Sequence, residues 1–253
     1  CAMGITLFTD NAASVISDAD EFYPGWDTTD LQRMEIFSYS GIGGNMMPGE
    51  EKSVAVADPQ FVSGPWVEFT NYGSDVPHLQ LGMTDTSLQT WLVLVDPNNS
   101  NLNRMIMSSY KGSNSTDHPG LSITIDANGR LVLLVGRYNT TSGVYGAQFV
   151  PLSQFDYTKP FLVAITCNDR TYTIKNLTSG LSNSYTLLAS EERSYGPEIY
   201  VGKAPYSWYG DQNGKTRIAA YAVFNRVLSD TELGDFRAYL LKCIQAKYPS
   251  VIF

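Results

Sequence analysis

The segment Ala204–Gly214 (APYSWYGDQNG) sets stacking groups beside hydrogen-bonding groups. Tyr206, Trp208 and Tyr209 offer flat aromatic faces for the apolar C–H patches of a sugar. Asp211, Gln212 and Asn213 offer the carboxylate and amide groups that read hydroxyls. Rings with polar neighbours on a connecting loop have the chemistry of a carbohydrate-recognition surface. The alternative is that Trp208 or Tyr209 turns inward and covers the core. A second candidate is Arg137–Tyr145 (RYNTTSGVY), where Arg137, Tyr138 and Asn139 are expected to leave a strand; an ordinary polar connection is the alternative. Tyr23 and Trp26 form a third aromatic loop.

Asp96 with Asn98 and Asn99, or Asp211 with Asn213, supplies oxygen ligands suited to calcium, without the spacing of an EF-hand. No other cofactor is implied. Catalytic arrangements are harder to find. Asp18, Asp20 and Glu21 have a near-strand spacing but lie where no strand period exists, and the adjacent Glu50 and Glu51 would point to opposite faces. His78 follows Pro77 near a strand start and reads as structural. His118 sits among Ser, Asn and Asp and reads as a solvated loop residue. Serine-hydrolase and phosphate-loop signatures are absent, so the chain leans towards binding rather than catalysis.

These groups need a scaffold, and the hydrophobic pattern supplies strands. Period-two runs predict strands over Trp66–Asn71, Leu79–Met83, Gln89–Asp96, Met105–Tyr110, Leu121–Ile125, Arg130–Gly136, Tyr145–Val150, Phe161–Asn168, Tyr172–Asn176, Tyr185–Leu188, Ile199–Val201 and Ile218–Phe224. Asn128-Gly129 marks a hairpin turn. Earlier in the chain, Ile5–Thr9 and Met34–Ser40 read as strands, Asn11–Asp20 as a brief helix or loop, and Gly41–Glu51 as an excursion. One helix closes the pattern. Ser229 and Glu232 form a capping box, and Leu233, Phe236, Leu240, Cys243, Ile244 and Lys247 recur at three- and four-residue steps from about Asp230 to Lys247, with Pro249 beyond. The expectation is an all-β, two-sheet antiparallel jelly-roll sandwich with a C-terminal α-helix. Residues 1–253 are read as a single domain, with 61–253 the best-patterned core and 1–60 of unclear role.

Composition narrows the partners. The 253 residues carry a net charge of −8, which disfavours nucleic acid and anionic lipid. Hydrophobic residues make up 43% and charged residues 17%, as in an ordered globular chain. Cys1, Cys167 and Cys243 give neither a disulfide framework nor zinc spacing. The chain shows no signal-peptide pattern and no apolar run of membrane-spanning length, so folding in the cytoplasm is expected. Met3-Gly4 reads as a native start; the alternative is a lipoprotein whose Cys1 carries lipid. The sequons at Asn98, Asn114, Asn139 and Asn176 fit chance in so Asn-, Ser- and Thr-rich a chain.

The stretch Arg217–Leu233 (RIAAYAVFNRVLSDTEL) resembles the closing segment of laminin-G-like domains in the concanavalin A-like lectin/glucanase superfamily. Asn225, Arg226, Leu228, Ser229, Asp230 and Glu232 stand at the matching places. Trp66–Leu81, Gln89–Val95, Phe161–Gly180 and Ile199–Gly202 follow in the family's order, while the first sixty or so residues match no part of it. The resemblance implies carbohydrate binding on a jelly roll. It also implies that a hydrolase branch would show a Glu-x-Asp-x-(x)-Glu strand, and a lyase branch a Tyr with a His or Asn; neither constellation is present. An acidic, cysteine-poor chain of this kind suits a bacteriophage virion protein, a tail or capsid-surface adhesin that binds host glycans. The alternatives are a structural virion component docked on other subunits in symmetric copies, and a glycosidase or lyase.

Overall fold

The computed structural model describes residues 5–6, 22–23, 25–47, 49–70, 75–98, 104–112, 119–152, 156, 158–205 and 214–253. In chain order the strands begin with β1 (Ile5–Thr6), β2 (Phe22–Tyr23) and β3 (Leu31–Ile36), followed by a single helical turn, α1 (Phe37–Ser40). Next come β4 (Val54–Val56), β5 (Gln60–Ser63), β6 (Trp66–Thr70), β7 (His78–Gln80), β8 (Leu88–Asp96) and β9 (Arg104–Ser108). The chain continues through β10 (Leu121–Ile125), β11 (Leu131–Asn139), β12 (Val144–Leu152), β13 (Phe161–Asn168), β14 (Thr171–Asn176) and β15 (Leu181–Thr186). It ends with β16 (Glu191–Arg193), β17 (Tyr200–Val201), β18 (Lys215–Phe224) and α2 (Asp230–Lys247).

Two antiparallel sheets face each other. One runs β15-β14-β13-β8-β18-β6-β5, with β3 pairing the C-terminal half of β18. The other runs β12-β11-β10-β9-β17-β7-β4, with β16 pairing the end of β11. A short parallel pair, β1 with β2, stands apart. Among the described residues no helix is long and apolar enough to cross a membrane.

The first sheet is buried on both faces, and its side chains sort accordingly. Trp91, Val93 and Val95 of β8 point into the core between the sheets, while Leu92 and Leu94 point to α2. On β18, Ile218, Tyr221 and Val223 enter the sandwich. Ala220, Ala222 and Phe224 meet Leu233, Phe236, Leu240 and Ile244 of the helix. Small alanines leave room for the helix to lie close to the strand. The helix begins as its sequence demands: Ser229 Oγ accepts from the Glu232 amide, and Glu232 Oε2 accepts from the Ser229 amide at 2.7 Å. The expected all-β sandwich with its terminal helix is therefore the observed fold.

The start of the chain differs from expectation. The Met34–Ser40 strand is shifted to Leu31–Ile36, because Phe37 leaves the sheet and turns into the core, 6.1 Å from both Phe69 and Tyr221. Residues 31–63 also give strands to both sheets through β3, β4 and β5. The segment of unclear role thus shares the sandwich, and β5 crosses the boundary drawn at residue 60.

Candidate functional site

The C-terminal ends of β7, β11 and β18 and the N-terminal ends of β8, β12 and β17 meet at one end of the sandwich. There the β7–β8 loop, the β16–β17 loop, β3 and Asn225 enclose a cleft of about 600 Å3. Its polar walls are Gln32, Thr84, Thr86, Glu198 and Asn225, with Met83 and Pro197 as apolar surface.

Each wall is held from behind. Arg33 joins β3 to the β7–β8 loop, donating from Nε to the Leu81 carbonyl at 3.3 Å and from Nη1 to the Gln32 carbonyl at 3.0 Å. Glu198 Oε1 accepts the Gly82 amide at 2.8 Å, at a glycine whose φ of +65° disfavours a side chain. Thr86 donates its amide to Gln89 Oε1 at 3.1 Å and its hydroxyl to the Leu88 carbonyl at 3.0 Å. Between the two threonines, Asp85 is fully buried; its carboxylate accepts from Arg193 Nη2 at 2.9 Å and from the Gly196 amide at 2.8 Å. Burial pushes the Asp85 carboxyl above its ordinary range, against the opposing pull of Arg193. A side chain at position 196 would collide with the Ser109 carbonyl, so only glycine lets this loop close down on the sheet.

Asn225 follows β18 and is fixed by its own amide, which donates to the Asp30 carbonyl at 2.9 Å. Its neighbour Arg226 donates to the Thr29 carbonyl at 2.8 Å and pairs with Asp27 at 3.1 Å and with the helix-capping Glu232. These contacts explain why Asn-Arg sits at the turn between the last strand and the helix: the arginine locks the junction while the asparagine faces the cleft. Asn225 Oδ1 is buried without a hydrogen-bond partner among the described residues. A buried acceptor of this kind is costly unless a donor arrives. Tyr195 lies two residues before Pro197; the residue is 42% exposed and its ring centroid stands 4.6 Å from the Arg193 guanidinium.

Two amides, two hydroxyls and one carboxylate around an open cleft can hydrogen-bond a polyhydroxylated ligand. Among the described lining residues Glu198 is the single carboxylate, so the pair needed for glycoside hydrolysis is not assembled there.

The residues singled out from sequence fall in different places. Tyr206, Trp208, Tyr209, Asp211, Gln212 and Asn213 lie outside the described residues, as do His118 and Asn99. The start of β18 that follows residues 206–213, at Lys215, pairs with Thr70 at the end of the sandwich opposite the cleft. Arg137, Tyr138 and Asn139 do not leave a strand; they remain in β11, paired with both β12 and β16. Arg137 is committed to Glu191, and Asn139 Oδ1 caps the hairpin turn, accepting from the amides of Thr141 at 3.0 Å and Ser142 at 2.9 Å. Tyr138 alone of the three presents its side chain outward, with its ring 4.8 Å from that of Tyr145.

Asp96 is likewise occupied. It accepts the Asn98 amide at 2.9 Å, with Asn98 at a φ of +53°, and faces Arg217 at 3.8 Å. The described residues contain no cluster of three or more potential metal ligands. Trp26 is not a stacking platform: it packs against Phe224, Phe236 and Tyr239 at 5.4–5.8 Å and closes the core beneath the helix. His78 is buried, with Nδ1 2.7 Å from the Val76 carbonyl, and burial lowers its basicity, as suits a structural residue. The cleft residues Gln32, Thr84, Thr86 and Glu198 carry no local signal of their own. Asn225 did stand out, as part of the closing segment, but its role becomes visible only where β3 and the β7–β8 loop converge on it.

No protein-family model matches the sequence, and no curated protein is significantly similar to it. The fold does have solved counterparts. The binding domain of botulinum neurotoxin DC in complex with SialylT superposes with a TM-score of 0.54 at 15% identity, covering 83% of this chain and 52% of that one. A structure of botulinum neurotoxin type C, which interacts with two ganglioside molecules, gives 0.52 at 18% identity over 74% of this chain and 46% of that one. The DC binding domain in complex with rat synaptotagmin II gives 0.50 at 16% identity. The chain spans about half the length of the structures it matches, 46–52% for the first two named. At this identity the likeness shows the β-sandwich fold alone.

Proposed function

We propose that this chain is a non-catalytic glycan-recognition domain whose ligand sits in the cleft between Gln32, Glu198 and Asn225. The observation that carries the reading is the buried, unpartnered Asn225 Oδ1 among pre-positioned amides and hydroxyls. Sugar hydroxyls are donors suited to that acceptor. Support also comes from neurotoxin binding domains of the same fold that have been seen with SialylT or interact with gangliosides. The acidic, cysteine-poor composition extends the reading to a bacteriophage tail or capsid-surface protein that folds in the cytoplasm and meets host glycans outside.

A glycan array with the wild-type chain and Asn225→Ala tests this. Wild type binds a defined subset, and Asn225→Ala loses about 1–3 kcal/mol of binding, as expected for a buried hydrogen bond. Because the Asn225 side-chain oxygen has no partner to lose among the described residues, folding is unchanged. Absence of wild-type binding to any host surface glycan overturns the reading.

A second reading, a structural virion component, is favoured by one observation. Edge strand β12 carries no charge, and its Val144 and Phe149 are each 46% exposed. Uncharged edges with exposed apolar side chains can pair with other chains. Light scattering that finds a stable oligomer, dispersed by Ala147→Lys, supports it; a monomer at all concentrations does not.

A further inference from the structure

The outer face of the second sheet carries a row of side chains with a chemistry of its own. Tyr138 stands directly opposite Tyr145 on β12 and directly opposite Glu192 on β16. Directly opposed residues of antiparallel strands project to the same face, so two tyrosines and a carboxylate lie side by side. Both rings are half-buried, 4.8 Å apart and tilted by 44°, and Glu192 is exposed. Gly143 supplies the positive φ of +70° that the hairpin turn needs, with only the Tyr138 hydroxyl near its open side.

Charge is sorted across this part of the sheet. Alternation sends Arg137 and Arg193 to the opposite face from Tyr138 and Glu192. There Arg137 is paired with the buried Glu191, and Arg193 with the buried Asp85. Both guanidinium charges are thus neutralised beneath the strands, and among the described residues this end of the outer face presents the half-buried Tyr138 and Tyr145 beside the exposed Glu192. The chain as a whole carries −8 and adds to that field.

From this arrangement we infer that Tyr138, Tyr145 and Glu192 form a stacking subsite for neutral or amino-bearing sugars that rejects sialylated and sulfated ones. The subsite rests on the glycan-recognition reading but names a second contact surface and a ligand class. Ring faces hold the apolar side of a pyranose, as they hold other flat ligands. Glu192 accepts from hydroxyl or ammonium groups and repels carboxylate and sulfate. The chain from Glu192 to Pro197 bounds the separation from the cleft wall at roughly 18 Å, so a short oligosaccharide can occupy both.

The test is calorimetric titration of wild type, Asn225→Ala, Tyr138→Ala, Tyr138→Phe, Tyr145→Ala and Glu192→Gln. The ligands are a neutral oligosaccharide selected on an array and its terminally sialylated counterpart. Wild type binds the neutral form more tightly. Tyr138→Ala and Tyr145→Ala weaken it by about tenfold, the scale of one lost stacking contact. Tyr138→Phe keeps the ring and keeps binding, which separates lost stacking from a damaged hairpin. Glu192→Gln removes the repelling charge and narrows the discrimination against the sialylated form. If both alanine variants bind like wild type while Asn225→Ala does not, the subsite is overturned and the cleft stands. Tighter binding of the sialylated form overturns the assigned ligand class. Loss in Tyr138→Phe equal to that in Tyr138→Ala overturns the stacking role. If wild type binds neither ligand, both the subsite and the glycan-recognition reading fall.

Discussion

Glu35 and Asp85 are both buried carboxylates at the join between β3 or the β7–β8 loop and the rest of the sandwich, yet they are neutralised in different ways. Asp85 touches its cation: Arg193 Nη2 is 2.9 Å away, and the Gly196 amide adds a second donor. Among the described residues Glu35 has no such contact. It accepts from the Tyr221 hydroxyl and, at 2.9 Å, from the Gly43 amide, while Tyr221 also meets Ser53 Oγ at 2.5 Å. Arg33 lies nearby but aims its guanidinium at Leu81, Gln32 and Glu51. Burial therefore pushes the Glu35 carboxyl up to about 7, with the hydroxyls, the Gly43 amide and Arg33 opposing. A guanidinium contact makes a fixed floor for the cleft. A hydroxyl network makes a staple that ties the 41–53 segment to the first sheet and depends on pH.

Breaking the Asp85 side has the largest expected effect. Arg193→Ala leaves a buried carboxylate without its cation and costs about 3–5 kcal/mol in urea unfolding at neutral pH. The loss is smaller in acid, where Asp85 takes a proton. Equal losses at pH 5 and pH 8 would show that packing, not charge, accounts for Arg193.

The Glu35 side predicts a pH slope of opposite character to the usual carboxylate. Its folded pKa lies above its unfolded value, so the folded state holds the proton more tightly. The contribution of this group to stability is greatest below pH 4.5, falls as pH rises towards about 7, and is level above that. The fall attributable to this group is up to about 3 kcal/mol. Glu35→Gln removes this component, and a Glu35→Gln curve that keeps the wild-type slope between pH 4.5 and 7 contradicts the assignment. Tyr221→Phe sharpens the contrast. It deletes one donor to Glu35, costs about 1–3 kcal/mol, and moves the end of the slope to higher pH. An unmoved transition would mean that Tyr221 does not hold the carboxylate.

Most of the fold was legible because its residues alternate or recur on a period. β10, β13 and α2 have the boundaries that the pattern predicts, and the capping box at Ser229 fixes the helix start. The short strands β4, β5 and β16 were not legible: their residues are partly exposed, and pairing partners distant in sequence stabilise them. The cleft was hidden for a similar reason. Gln32, Thr86, Glu198 and Asn225 come from four separated segments, and each is an ordinary polar residue in its local context. Trp26 misled because an aromatic beside Pro and Gly looks the same from sequence whether it faces solvent or closes a core. Arg137 misled because its partner, Glu191, is 54 positions away.

The smallest expected change in stability belongs to the most informative cleft residue. Asn225→Ala should unfold within about 0.5 kcal/mol of wild type, as substitutions that break no internal bond generally do. A melting curve that drops well beyond that would make Asn225 structural and remove its value as a probe of binding.

The most direct measurement is amide chemical-shift mapping of the wild-type chain titrated with a glycan that it binds. The account predicts perturbations at Gly82, Thr86, Glu198 and the Asn225 side chain, all at the end of the sandwich where β8 begins. Perturbations confined to the opposite end, around Thr70, Asp96 and Lys215, would contradict it.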